Sequence, residues 1–139
     1  IFVVPSDSDI KSLDDIKGKT VAVQLGSTAE EILANADFAN DITTTPLEDN
    51  VTALQQLELG FSDAVFMDSV VANYLITSEG KDFVILPEGL EKEEYAIGFR
   101  KGDQALRDEV QNTLSEPKAD GTLGEISTKW FGSDITTVK

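Results

Sequence analysis

Neither cysteine nor histidine occurs among the 139 residues of this chain. Catalytic thiols, Ser–His chemistry, imidazole metal ligands and structural zinc are therefore excluded. The missing cysteine fits a cytosolic and an extracytoplasmic protein equally. No apolar run approaches the ~20 residues of a membrane helix. Ile1–Pro5 is too short, and lacks the basic start, for a signal peptide. The chain opens on a strand-like run without a start methionine, as a mature or excised fragment would. Positive charge is scarce: 11 Lys and Arg against 26 Asp and Glu give a net charge of −15. Neither nucleic acid nor an anionic membrane surface is expected as a partner of such a chain. No glycine-rich phosphate loop of Walker or dinucleotide type is present. The adjacent acids Asp14-Asp15 and Glu93-Glu94 read as solvated faces, so no acid–base pair stands out, and no cofactor or metal is expected.

The composition suits a globular domain, with 40% hydrophobic residues. A chain of this length buries roughly two thirds of its unfolded surface. Its elements alternate. Strands are predicted at Phe2–Val4, Thr20–Gln24, Ile42–Thr45 (closed by Pro46), Ala64–Met67, Phe83–Leu86 and Tyr95–Arg100. Helices are predicted at Ser12–Ile16, where Ser12 is a plausible cap, at Thr28–Ala36, at Val51–Leu59 and at Ser69–Ile76. Val51, Leu54 and Leu57 share the inner face of the third of these. Beyond the Lys101-Gly102-Asp103 turn the pattern becomes helical. Ala105–Ser115 carries Leu106, Val110 and Leu114 on one face, Pro117 disrupts it, and Thr122–Phe131 follows. A boundary is expected near Arg100–Asp103.

Two places carry chemistry. Strand Thr20–Gln24 runs into Gly26-Ser27-Thr28 and then a helix. Helix starts expose unpaired N–H groups and a partial positive charge, so this turn can hold an anion. The hydroxyls of Ser27 and Thr28 serve equally well as ordinary helix caps. Glu30 and Glu31 suit a helix start and oppose anion binding slightly. The second place is Asp68, at the far end of the apolar strand Ala64–Met67, where open α/β sheets present their ligand crevice. Asp68 also reads as a cap of the next helix. Asp63, before that strand, reads as a turn residue. Together the turn and Asp68 offer opposite charge to the two ends of a zwitterion, such as a free amino acid. Gln24 lies at the mouth of the same crevice, either reading a ligand side chain or facing water. Phe61, Tyr74, Trp130 and Phe131 read as packing residues.

Four segments carry a resemblance. Ser12 through Thr28 resembles the start of the second lobe of family 3 extracellular solute-binding proteins, the polar amino-acid-binding proteins of bacterial ABC transporters. Gly60 to Asp68 resembles that family's strand ending in the aspartate that holds the ligand ammonium. Tyr95 to Asp103 resembles its returning hinge strand. Lys118 to Thr122, with Lys129 to Gly132, resembles its C-terminal helix. The resemblance implies an α/β fold, a periplasmic-binding-protein-like lobe with about five strands flanked by helices, plus a C-terminal helical tail. It implies residues 1–100 as lobe two and 101–139 as closing helices of an incomplete lobe one. It places Thr28, with Gly26 and Ser27, on the ligand α-carboxylate and Asp68 on its ammonium. Gln24 and Met67 then lie near the ligand side chain.

The same resemblance implies a binding module and not an enzyme: the substrate-binding component of an amino-acid ABC importer. That component would be extracytoplasmic, periplasmic or lipid-anchored, with a membrane permease as partner. The arginine that clamps the carboxylate in the family corresponds to no residue here, so weak amino-acid binding is expected. The apolar faces of the tail helices suggest a homodimer or domain swap. The same fold also serves sensory ligand-binding domains and periplasmic enzymes such as dehydratases and lytic transglycosylases.

Overall fold

The computed structural model describes residues 1–138, apart from the side chain of Glu79. They fall into two compact units, Ile1–Lys92 and a second that begins at Glu93.

The first unit is built on strands β1 (Phe2–Pro5), β2 (Thr20–Gln24), β3 (Thr43–Leu47), β4 (Ala64–Phe66) and β5 (Phe83–Ile85). They form one sheet in the order β3-β2-β4-β1-β5. Helices α1 (Thr28–Ala34), α2 (Asn50–Glu58) and α3 (Ser69–Glu79) follow β2, β3 and β4. Strands β3, β2 and β4 run parallel, and β1 runs antiparallel to both β4 and β5.

Both faces of the sheet are covered, as the run of small and branched apolar residues in its central strands requires. Alternation along each strand divides the core in two. Phe2, Val4, Val21, Val23, Ala64 and Phe66 pack on one side with Ile16 and with Leu33 of α1. Val3, Ala22 and Val65 pack on the other with Ala53, Leu54 and Leu57 of α2 and Ala72 of α3. Residue Ala53 takes the inner place expected of Val51, which is 43% exposed. Proline 46 does not close β3 but lies inside it. β3 is an edge strand, where a residue without N–H is tolerated.

Residues Leu13–Ile16 form a 3-10 turn, held by Asp15. The Asp15 Oδ2 atom accepts from the backbone N–H of Lys11 and Ser12 and from the Ser12 hydroxyl. The Lys11 N–H bond is the main reason its carboxyl lies below the usual aspartate range. Asp49 is lowered chiefly by the N–H of Thr52, which it caps. Carboxyls held low in the folded state stabilise it above the unfolded aspartate value, and this is lost as the pH falls through the folded value. Thermal unfolding followed by circular dichroism is therefore expected to show a falling Tm on acidification through the carboxylate range. Asp49→Asn should make that fall shallower.

The second unit contains α4 (Gln104–Ala119) and α5 (Thr122–Phe131). The Tyr95–Arg100 strand does not form: residues 93–100 have no regular structure. A strand needs a neighbour to satisfy its backbone, and among the described residues this unit supplies none. Helix α4 also runs through Pro117 instead of breaking there. That proline comes in the last turn, so it removes only the N–H bond back to Thr113. The next turn still closes through Asp120 N–H to the Glu116 carbonyl. The sheet, its helices and this helical tail fit the expected α/β architecture.

Candidate ligand-binding site

Parallel registry brings the two chemical places together. The pair Val23 and Phe66 is aligned between β2 and β4, and Gln24 and Leu47 between β2 and β3. All three strands therefore end at one edge of the sheet. The Gly26-Ser27-Thr28 turn and Asp68 leave that edge from adjacent strands, whose axes are about 5 Å apart in any sheet. Asp63 lies at the opposite edge. Its Oδ2 accepts from the Thr20 N–H at 2.7 Å and clamps the start of β2, the turn role its position suggests.

The turn is possible because Gly26 adopts φ +71°. A Cβ there would meet no atom within 4 Å, so the constraint is conformational. Gly26→Ala is expected to cost roughly 1–2 kcal/mol from the left-handed backbone alone, read as a lower midpoint in urea unfolding. Ser27 caps α1, its Oγ accepting from the Glu30 N–H at 3.2 Å and donating to the Gln24 carbonyl at 2.7 Å. Thr28 opens α1 and is exposed, at a helix start whose first N–H groups have no partner within the helix. Glu30 folds back, and its Oε2 accepts from the Gly26 N–H at 2.6 Å. The turn thus holds a carboxylate of its own.

Asp68 is half-buried and caps α3, with Oδ1 accepting from Val70 N–H at 2.8 Å and Val71 N–H at 3.0 Å. Among the described residues its other oxygen accepts no hydrogen bond from the protein. Met67, beside it, is only 1% exposed and packs in the α2-side core. Its side chain does not reach the surface, contrary to the expectation that it flanks a ligand side chain. Gln24 is half-buried at the end of β2. The Nδ2 group of Asn50 donates to Gln24 Oε1 at 3.0 Å, and Asn50 Oδ1 is buried without a partner. Asn50 was not evident from the sequence, where it follows a helix cap and looks like one more helix-start residue.

Three of the aromatic residues expected to pack are instead exposed. Phe61 is 67% exposed, Tyr74 45% and Trp130 51%. Phe61 sits in the turn after α2, at the edge away from the site.

The model of bacterial extracellular solute-binding proteins, family 3, matches residues 2–133. The chain belongs to this family. Among curated solute-binding relatives, the L-cystine-binding protein TcyA of Bacillus subtilis is 39% identical, over 94% of this chain and 47% of its own length. The L-cystine-binding protein TcyJ of Escherichia coli K12 is 34% identical, over 94% and 48%. The chain spans about half the length of the curated relatives it matches. Among solved structures, the second substrate-binding domain of a putative amino acid ABC transporter from Streptococcus pneumoniae superposes with a TM-score of 0.80 at 30% identity, covering 94% of this chain and 60% of that one. An ancestral arginine-binding protein bound to arginine gives 0.72 at 37% identity, covering 94% and 59%. No helix among the described residues is long and apolar enough to cross a membrane. Neither the fold nor these relatives support the expected homodimer or domain swap.

Proposed function

We propose that this chain is the second lobe, with closing helices, of the substrate-binding component of an amino-acid ABC importer. It acts outside the cytoplasm, binds without catalysing, and has a membrane permease as partner of the parent protein. Residues 1–100 serve as the lobe and 101–139 as helices of an incomplete lobe one. Thr28 and the Gly26-Ser27 turn receive the α-carboxylate, Asp68 receives the α-ammonium, and Gln24 faces the ligand side chain. The parallel register of β2 and β4 carries this reading, because it sets a donor-rich turn and a carboxylate side by side. The Glu30 carboxylate now on the Gly26 N–H must move aside for a ligand carboxylate to take its place. The relatives are solute-binding proteins, which supports a binding module over an enzyme.

One lobe offers one wall of a cleft, whereas ligand sites normally enclose most of their ligand. Affinity is therefore expected in the range of about 1 mM, near −4 kcal/mol. Nuclear magnetic resonance titration of the ¹⁵N-labelled chain with free L-amino acids should shift the amides of Gly26–Thr28 and Asp68–Val71. Shifts confined to other regions, or none with any amino acid, would overturn the reading.

A further inference from the structure

We infer that Asn50 is a positioning residue: it turns the Gln24 amide so that its NH2 group faces the ligand. The site then favours an amino acid whose side chain ends in a hydrogen-bond acceptor over one ending in a cation. This rests on the amino-acid reading above.

The geometry starts with strand alternation. Val21 and Val23 lie in the core on the α1 side and Ala22 in the core on the α2 side, so Gln24 emerges on the α2 side. There it meets Asn50, the first residue of α2. An amide side chain has one acceptor end and one donor end. The acceptor end of Gln24 is engaged by Asn50 Nδ2 at 3.0 Å, which leaves its NH2 for a ligand. Turning both amides over would reverse this, but it would put a two-proton NH2 where the closed-in Asn50 Oδ1 now sits. Unpaired buried N–H groups are rarer than unpaired buried carbonyls, so the observed sense is the stable one.

The selectivity follows from donor counting. A guanidinium carries five N–H donors and no acceptor, so it meets the Gln24 NH2 donor against donor. A ureido or carboxamide oxygen meets the same group as its complement. L-citrulline and L-arginine match in length and shape and differ only at the side-chain end, where a neutral ureido oxygen replaces a charged guanidinium nitrogen. The charge difference persists in every variant, so the change in ratio on substituting Asn50 reads the hydrogen bond.

Titrating the ¹⁵N-labelled chain with each ligand gives both affinities from the same amides. Citrulline is expected to bind roughly tenfold more tightly than arginine, about one net hydrogen bond. Asn50→Ala should bring the ratio close to unity while both ligands still bind. In Asn50→Asp the new side chain can only accept, so the Gln24 amide turns over and the preference inverts. A merely structural role would weaken both ligands together and leave the ratio alone. Arginine binding as tightly as citrulline to the unsubstituted chain, or an unchanged ratio in Asn50→Ala, overturns the inference and leaves the amino-acid reading standing. Failure of both ligands to shift the Gly26–Thr28 and Asp68 amides overturns that reading and this inference with it.

Discussion

Asp68→Asn is expected to leave α3 intact and to weaken amino-acid binding by roughly 10- to 100-fold, the ~1.5–3 kcal/mol of a charge-assisted hydrogen bond. Asparagine caps helices about as well as aspartate, so the Val70 and Val71 N–H groups keep an acceptor. Only the negative charge offered to an ammonium disappears. Asp63→Asn is the matched control, because Asp63 bonds Thr20 at the other edge of the sheet. It should change stability and not affinity. Titration of both variants, with helicity checked by circular dichroism, decides the matter. Equal affinity losses in the two variants would remove Asp68 from the site.

Phe2→Ala should cost about 3–5 kcal/mol, a large part of the ~5–15 kcal/mol that holds a domain folded. Phe2 is fully buried. Its ring lies 4.6 Å from that of Phe66 and 6.3 Å from that of Phe38, centre to centre. Truncation deletes the ring contact between β1 and β4 and leaves a cavity in the α1-side core. Urea unfolding reads the loss directly. Phe61→Ala removes the same side chain from a surface position, and less than about 0.5 kcal/mol is expected. Similar losses for the two would mean that Phe2 is not packed as described.

Local signals carried the sequence reading a long way. Thr20–Gln24 and Thr122–Phe131 are legible because alternation, turn glycines and helical spacing all lie within one short window. Asp68 could be told from Asp63 because the two stand at opposite ends of one apolar strand. What stayed hidden depends on partners far away in the chain. Nothing local tells Phe2–Pro5 to run against its neighbours. Tyr95–Arg100 has strand composition and pairs in no ladder among the described residues. The bond between Asn50 and Gln24 spans 26 positions and exists only once β3 lies beside β2. The resemblance puts Met67 near a ligand side chain, but residues of α2 and α3 distant in the chain bury it.

The order of the sheet has a consequence for how the molecule comes apart. Among the described residues strand β5 pairs with β1 alone, and β1 is bound on its other flank to β4. Peeling away the four residues of β1 would strand β5 as well, shrinking the platform to three rows. The ligand edge would then keep its two chemical ends while losing the rib that stiffens them.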